Sequence, residues 1–295
     1  CNPESTDAAL LDALRRGGAN RLSFGVQAAH DNELRRIGRI HDFAKAKNAV
    51  LLAHEHGFSN ISLDLMYGLP GQTQDMFLDS LAQCLALQPT HLSCYGLKLE
   101  PMTEMGREAP VLPDDDAQAD TYLALCRVLR QHGFEHYEIS NFARPGFRSR
   151  HNSKYWDLSE YLGFGCAAHS FYNGKRFYYT SDIAAYLGGM QGQRPIVEDA
   201  DEVSCPAELR VGEYLMLALR TVDGVDEDAF HVEHGGLAGV FAHADDRHRA
   251  IGFDQPAEGG FHAVLLTFRR SRTLPAPKSP ASMCGRERWW PRPRS

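Results

Sequence analysis

No two cysteines in this 295-residue chain stand close enough in sequence to form a metal knuckle. The seven lie at 1, 84, 94, 126, 166, 205 and 284. An odd number at wide spacing is the pattern of reduced thiols in a cytoplasmic protein, not of a disulfide framework. Long apolar runs are missing as well. Nothing approaches the roughly 18 residues needed to cross a bilayer, so no membrane span is expected and any membrane contact is peripheral. The first twenty residues are polar and charged, unlike a cleavable secretory signal. Net positive charge is also absent. A formal charge of −7 argues against a nucleic-acid partner held by phosphate neutralisation. The balance is uneven: residues 269–295 carry eight Arg or Lys and one Glu, which leaves −14 on the first 268 residues.

What is present suits a globular protein. Hydrophobic residues make up 43% and charged residues 23%, enough to bury a core. The length allows one large domain with a small appendage. Three times a helical pattern stops at glycine and a strand pattern follows. Leu10, Leu11 and Leu14 lead to Gly17-Gly18 and then Arg21–Val26. Phe43, Ala46, Val50 and Ala53 share one helical face, ending at Gly57 before Asn60–Met66. Tyr122, Leu125, Cys126 and Leu129 lead to Gly133 and the strand His136–Ser140. Between the last two cycles lie a helix over 73–87 and a strand over 91–97. The alternation implies parallel strands with helical crossovers. Gln27, Asp64 and Lys98 each fall near the C-terminal end of a strand, the edge where (β/α) barrels build their sites, which favours a barrel over an open sheet.

The rhythm stops near residue 145. Residues 146–200 are aromatic and glycine-rich and read as an extension of the barrel. Residues 201–268 read as a small, mostly helical C-terminal domain, with an amphipathic helix over 206–220 and a helical unit over 225–252. Residues 269–295 are Pro, Arg and Ser with no apolar period, which reads as a disordered tail.

Four strings are unusual. They are Arg21-Leu-Ser-Phe-Gly-Val-Gln27 followed by Ile37-Gly-Arg-Ile-His41, then Asp64-Leu-Met-Tyr-Gly-Leu-Pro-Gly-Gln72, His151-Asn-Ser-Lys-Tyr-Trp156 and Tyr161-Leu-Gly-Phe-Gly-Cys-Ala-Ala-His169. Gln27 offers donors and acceptors, Arg39 a planar fork for a carboxylate, and Asp64 an anion for hydroxyls or an ammonium group. Gly68 and Gly71 around Pro70 let backbone approach a ligand closely. An ordinary strand-to-helix turn with exposed polar residues is the competing reading. For His151 the competing reading is a buried His–Asn pair bracing an aromatic corner. The run Asp114-Asp115-Asp116 reads as a helix cap, Cys84, Cys94 and Cys166 as small core residues, and His54, His56 and His132 as solvated.

In order, Arg21–His41, Asp64–Thr73, His91–Thr103, Tyr137–Ala143 and His151–Ser170 resemble the coproporphyrinogen-oxidase-like branch of the radical S-adenosylmethionine (radical SAM) family. The resemblance covers roughly residues 1–230. It implies a partial (β/α)6 barrel binding S-adenosylmethionine and a [4Fe-4S] cluster. It also implies that Gln27, Arg39 and Asp64, with Lys98 and His169 more loosely, contact the S-adenosylmethionine. The branch holds two functions. One is a heme chaperone of the HemW type, which binds heme and passes it to acceptor proteins. The other is oxygen-independent coproporphyrinogen III oxidase, a true enzyme, so whether this chain catalyses anything is open. The His151 string is associated with the chaperones, and His151 is implied as the heme-binding residue; Tyr155 and Trp156 are placed to stack on the macrocycle.

The chain departs from the family in one respect. The CxxxCxxC loop that holds three cluster irons does not occur in it. The expectation is therefore that no residue here ligates the cluster, that the barrel lacks its first strands, and that the isolated piece, with an open sheet edge, is poorly soluble. A third reading, a plain barrel enzyme acting on a small sugar or amino acid without a cluster, remains beside the other two.

Overall fold

A computed structural model describes residues 1–192, 197–198, 207–226, 250–252 and 265–269. In chain order the first part comprises α1 (Ala8–Arg16), β1 (Leu22–Gln27), α2 (Asp31–Arg36), α3 (Phe43–Glu55), β2 (Ile61–Tyr67), α4 (Gln74–Leu85), β3 (His91–Gly96), α5 (Glu104–Glu108), α6 (Asp115–Gln131), β4 (Glu135–Glu138) and β5 (Asn141–Ala143). It continues with α7 (Arg150–Trp156), β6 (His169–Tyr172), β7 (Lys175–Tyr179), α8 (Ile183–Met190), β8 (Val197–Glu198), α9 (Ala207–Ala218), β9 (Val225–Asp226), β10 (Ala250–Gly252) and β11 (Leu265–Arg269).

The helix boundaries follow from local chemistry. Asp42, Thr73 and Asp114 cap α3, α4 and α6, each side chain accepting a backbone N–H of the first turn. Such a cap contributes about 1 kcal/mol. At the other ends Gly18, Gly57 and Gly133 take φ of 84°, 82° and 78°, left-handed values that glycine adopts without a Cβ penalty.

The main sheet has the order β1-β2-β3-β5-β4, with β1, β2 and β3 parallel. Side chains alternate across it. One face carries Phe24, Leu63, Leu65, Leu92 and Cys94, all fully buried against Val50, Phe77, Leu81, Leu125 and Leu129 of the helices. The fold is α/β with helices covering one side of a partly closed barrel. Cys84 and Cys94 lie in this core. Burial pushes the Cys84 thiol up to about 12 and the Cys94 thiol well above its ordinary value. Cys166 is half-buried and donates to the Thr180 carbonyl at 3.1 Å.

Three expectations for the first 145 residues need correction. The strand expected over His136–Ser140 is a hairpin: β4 ends at Glu138 and β5 turns back to lie antiparallel between β3 and β4. The pairing wins because the Cys94 N–H finds the Ser140 carbonyl at 2.7 Å, which satisfies β3 across the turn. Second, Asp64 is mid-strand rather than at a strand tip, since Leu65, Met66 and Tyr67 go on pairing with Cys94, Tyr95 and Gly96. Third, His54 and His56 are not simply solvated: His54 Nε2 lies 3.2 Å from the Leu87 carbonyl and His56 Nδ1 2.8 Å from Asp12.

The strands β6, β7 and β8 form a separate antiparallel sheet in that order. Of the expected helical region 201–268, the described residues hold α9 and three short strands in the order β10-β11-β9. Residues 225–226 and 250–252 are strands where helix was expected. The rest of that region, and the tail after Arg269, lie outside the described residues. No described helix is long and apolar enough to cross a membrane.

Candidate functional site

The sheet face opposite the apolar core is polar. By alternation it presents Ser23, Gly25 and Gln27 from β1, Ser62 and Asp64 from β2, and His91, Ser93 and Tyr95 from β3. Gln27 ends β1 with φ 70° at a point where the β1–β2 register shifts. A left-handed glutamine costs roughly 1–3 kcal/mol and persists only where its surroundings over-determine it. Here the surroundings are clear. Gln27 is buried, Tyr95 Oη donates to its Oε1 at 3.0 Å, and its Nε2 would lie 2.8 Å from a Cβ on Gly25. Gly25 thus leaves the room that the amide occupies. Substituting Gly25→Ala is expected to displace Gln27 and weaken S-adenosylmethionine binding several-fold in equilibrium dialysis, with little change in melting temperature.

Asp64 accepts from Ser23 Oγ at 3.0 Å and is also hydrogen-bonded by the Ser93 side chain. Burial raises its pKa, against those two hydrogen bonds and the charge of Arg21, which lower it. Arg21 is itself held below its ordinary value by burial, and its Nη1 is enclosed without a hydrogen-bond partner among the described residues. Arg39 is half-buried just beyond α2, its charge felt by the Tyr95 hydroxyl, with no carboxylate on its guanidinium among the described residues. Gln27, Tyr95, Arg39 and Asp64 therefore gather at one edge of the polar face.

The first two strings are tied together. Arg36 Nη1 donates to the Pro70 carbonyl at 2.6 Å and would meet a Cβ on Gly71 at 2.5 Å. Leu69 is buried with Ala28 and Leu34. The turn 68–72, with Gly68 and Gly71 at φ 72° and 70°, is so held against the end of β1.

The third string lies elsewhere. His151 is exposed on α7, its Nε2 2.9 Å from Tyr155 Oη. Tyr155 packs edge-on to Tyr161 with centroids 4.7 Å apart. A cavity of about 190 Å³ opens beside them, lined in part by Tyr155, Tyr161, Phe171 and Arg176. Trp156 is half-buried.

The sequence profile of the Radical SAM superfamily matches residues 1–84. Among curated proteins, the chain is 37% identical over 245 residues to heme chaperone HemW of Bacillus subtilis, covering 81% of this chain and 64% of that one. It is 37% identical over 243 residues to HemW of Haemophilus influenzae, covering 80% and 61%. It is 41% identical over 195 residues to HemW of Escherichia coli, covering 65% and 51%. The solved structure of coproporphyrinogen III oxidase HemN from Escherichia coli, a radical SAM enzyme, superposes with a TM-score of 0.70 over 82% of this chain and 59% of that one. At 22% identity that likeness speaks to the fold alone. The chain belongs to the HemW/HemN-like branch of the radical SAM superfamily.

It spans between about half and two thirds of the length of these HemW relatives. Membership implies S-adenosylmethionine and a [4Fe-4S] cluster. The polar face fits the first. The Arg39 guanidinium, with no carboxylate on it among the described residues, the half-buried Asp64 carboxylate and the strained Gln27 amide suit a nucleoside bearing an amino-acid tail. When bound, S-adenosylmethionine supplies the sulfonium centre of radical SAM chemistry; Gln27, Arg39 and Asp64 are the residues that would hold it. The cluster is different. No group of three or more Cys, His, Asp or Glu among the described residues could hold a metal ion, and Cys84 and Cys94 are protonated core thiols. The described residues do not fit it.

Two residues implied by the resemblance are not brought to this group by any contact. Lys98 lies two residues past β3, largely exposed, with its ammonium 2.8 Å from Glu100. His169 is exposed at the start of β6 and stacks on Tyr178 at 5.0 Å. Conversely, Arg21, Ser23, Ser93 and Tyr95 lie against Gln27 and Asp64, four residues that motif order did not single out. Their signal was the period-two row of polar residues on each strand, Ser23-x-Gly25, Ser62-x-Asp64 and His91-x-Ser93-x-Tyr95.

Proposed function

We propose that this chain works as a heme chaperone. It takes up heme at His151 and passes it to acceptor proteins in the cytoplasm, with S-adenosylmethionine at Gln27, Arg39 and Asp64. The observation that carries the reading is the 37% identity to HemW proteins over four fifths of the chain. In this reading residues 1–145 hold the nucleotide and 146–200 present the heme ligand. The surroundings of His151 support it. The neighbouring cavity, about 190 Å³, is smaller than the roughly 300 Å³ at which pockets begin to enclose a ligand. Heme therefore lies over an exposed imidazole and aromatic surface rather than inside a pocket. Partial burial suits a carrier that must release its cargo.

The test is to supply the full-length protein with heme in one arm. In the other it receives coproporphyrinogen III, a reductant and S-adenosylmethionine. Stable heme uptake without loss of carbon dioxide is expected. Release of carbon dioxide with turnover would overturn the chaperone reading in favour of the decarboxylating oxidase.

A further inference from the structure

A line of buried hydrogen bonds crosses the polar face beneath Asp64 and ends on the helix that carries His151. Ser62, two residues before Asp64 on β2, lies with its Oγ 2.7 Å from His91 Nδ1. His91 Nε2 lies 2.8 Å from Tyr137 Oη, and that oxygen accepts the Ser149 backbone N–H at 3.2 Å. Ser62, His91, Tyr137 and Ser149 are all buried. Ser149 is the N-cap of α7: its Oγ accepts from the Asn152 N–H at 3.4 Å and its carbonyl from the Ser153 N–H at 3.0 Å. His151 stands two residues on.

The cofactor edge and the heme ligand use none of these groups. Ordinarily the N–H of an N-cap residue is satisfied from within its own helix, by a Glu or Gln three residues on. Here that position is Asn152, and the hydroxyl reaching the N-cap N–H comes from β4. The start of α7 is thereby fixed to the barrel. A seven-residue helix is too short to hold itself in water, so its attachments decide where it sits. Tyr137 is delivered to this place by an irregularity in β4, where the register shifts between His136 and Glu138, and the Arg148 guanidinium lies 5.5 Å over its ring. Burial, with help from the Arg21 charge, lowers the His91 pKa to about 3. The ring is neutral throughout the physiological range and acts as a fixed link. A fully satisfied buried network of this kind specifies one geometry.

We propose that Ser62, His91 and Tyr137 are positioning residues that lock the N-terminus of α7 to the barrel and so set where the His151 imidazole meets heme iron. This rests on His151 being the heme ligand. The test uses the full-length protein and four variants: Tyr137→Phe, His91→Gln, His151→Ala, and Tyr137→Phe combined with His151→Ala. Heme titrations record affinity and the axial-ligand absorbance signature, and thermal melts record folding. Tyr137→Phe removes two hydrogen bonds, of which the one from the Ser149 N–H anchors α7. Loss of that anchor is worth about 0.5–1.5 kcal/mol, so the variant is expected to weaken heme binding roughly 2- to 12-fold and to make the ligation spectrum heterogeneous. His91→Gln, which keeps a neutral hydrogen-bonding group, is expected to have a smaller effect. In the His151→Ala background the Tyr137→Phe penalty should vanish. A purely structural role would lower the melting temperature, cost the same in both backgrounds and leave the spectrum unchanged; that result overturns the positioning role while the heme reading stands. If His151→Ala alone binds heme as the parent does, His151 is not the heme ligand, and this inference falls with that assignment. Should Tyr137→Phe not fold, a parent-like spectrum in His91→Gln together with an unaltered one in His91→Leu would overturn the proposal.

Discussion

Replacing His151 with alanine is expected to weaken heme binding by at least 10- to 100-fold and to abolish the histidine-ligated absorbance signature. Losing even a supporting partner at a metal site commonly costs that much, and here the ligand itself goes. The geometry explains why nothing nearby compensates. The imidazole is exposed on α7 and, among the described residues, has only the Tyr155 hydroxyl on its Nε2, at 2.9 Å. His169, the other histidine of the aromatic region, is stacked on Tyr178 in a different sheet. His151 would hold heme iron either through Nε2, in place of the Tyr155 hydroxyl, or through Nδ1. Hemin titration of parent and variant, followed by absorbance, measures the effect. A variant with parent-like affinity and spectrum would place the heme elsewhere on the chain.

The second large effect concerns Asp64, where binding and stability pull apart. Asp64→Asn is expected to weaken S-adenosylmethionine binding roughly 10- to 150-fold, the equivalent of the 1.5–3 kcal/mol carried by a hydrogen bond to a charged group. The same change is expected to stabilise the fold at neutral pH by about 0.5–2 kcal/mol, the usual gain when a functional strain is relieved. The sign follows from the raised pKa of Asp64, for which burial is the largest cause. A carboxyl whose folded pKa lies above its unfolded value favours the native state while protonated, and that contribution is lost as pH rises through the folded pKa. The ionised group at neutral pH is therefore a cost to folding, only partly offset by Ser23, Ser93 and Arg21. Urea melts across a pH series check this. The stability gain of the variant should grow as pH rises through the folded pKa and shrink to nothing in acid. A variant less stable than the parent at pH 7 would mean that pairing with Arg21 outweighs desolvation.

The polar edge around Gln27 was partly legible in the sequence. Gln27 and Arg39 were named from residue chemistry and from the order of motifs, and the fold places both beside Tyr95. Asp64 was named as an anion for hydroxyls or an ammonium group, but put at the wrong height in its strand. Sequence alternation alone does not say where a strand stops when Leu65, Met66 and Tyr67 extend it in either case. The hairpin of β4 and β5 was invisible for a related reason. Glu138 and Asn141 are three residues apart and hydrogen-bonded to each other, and a turn so tight leaves no gap in the strand-forming pattern.

The amino-acid order by itself determined the helix ends, through capping aspartates and threonine at the starts and left-handed glycines at the stops, because those are interactions between near neighbours along the chain. It also determined the apolar face of each strand, since the period of two is built into the backbone. Only the tertiary structure decided which polar residues meet on the other face. His91 and Tyr137 are 46 residues apart, Gln27 and Tyr95 are 68 apart, and no local rule brings such pairs within hydrogen-bonding distance. Sheet order, register and the two strand irregularities at Gln27 and Tyr137 do that, because they set which side chains share the interior of the barrel once the helices have taken the apolar side.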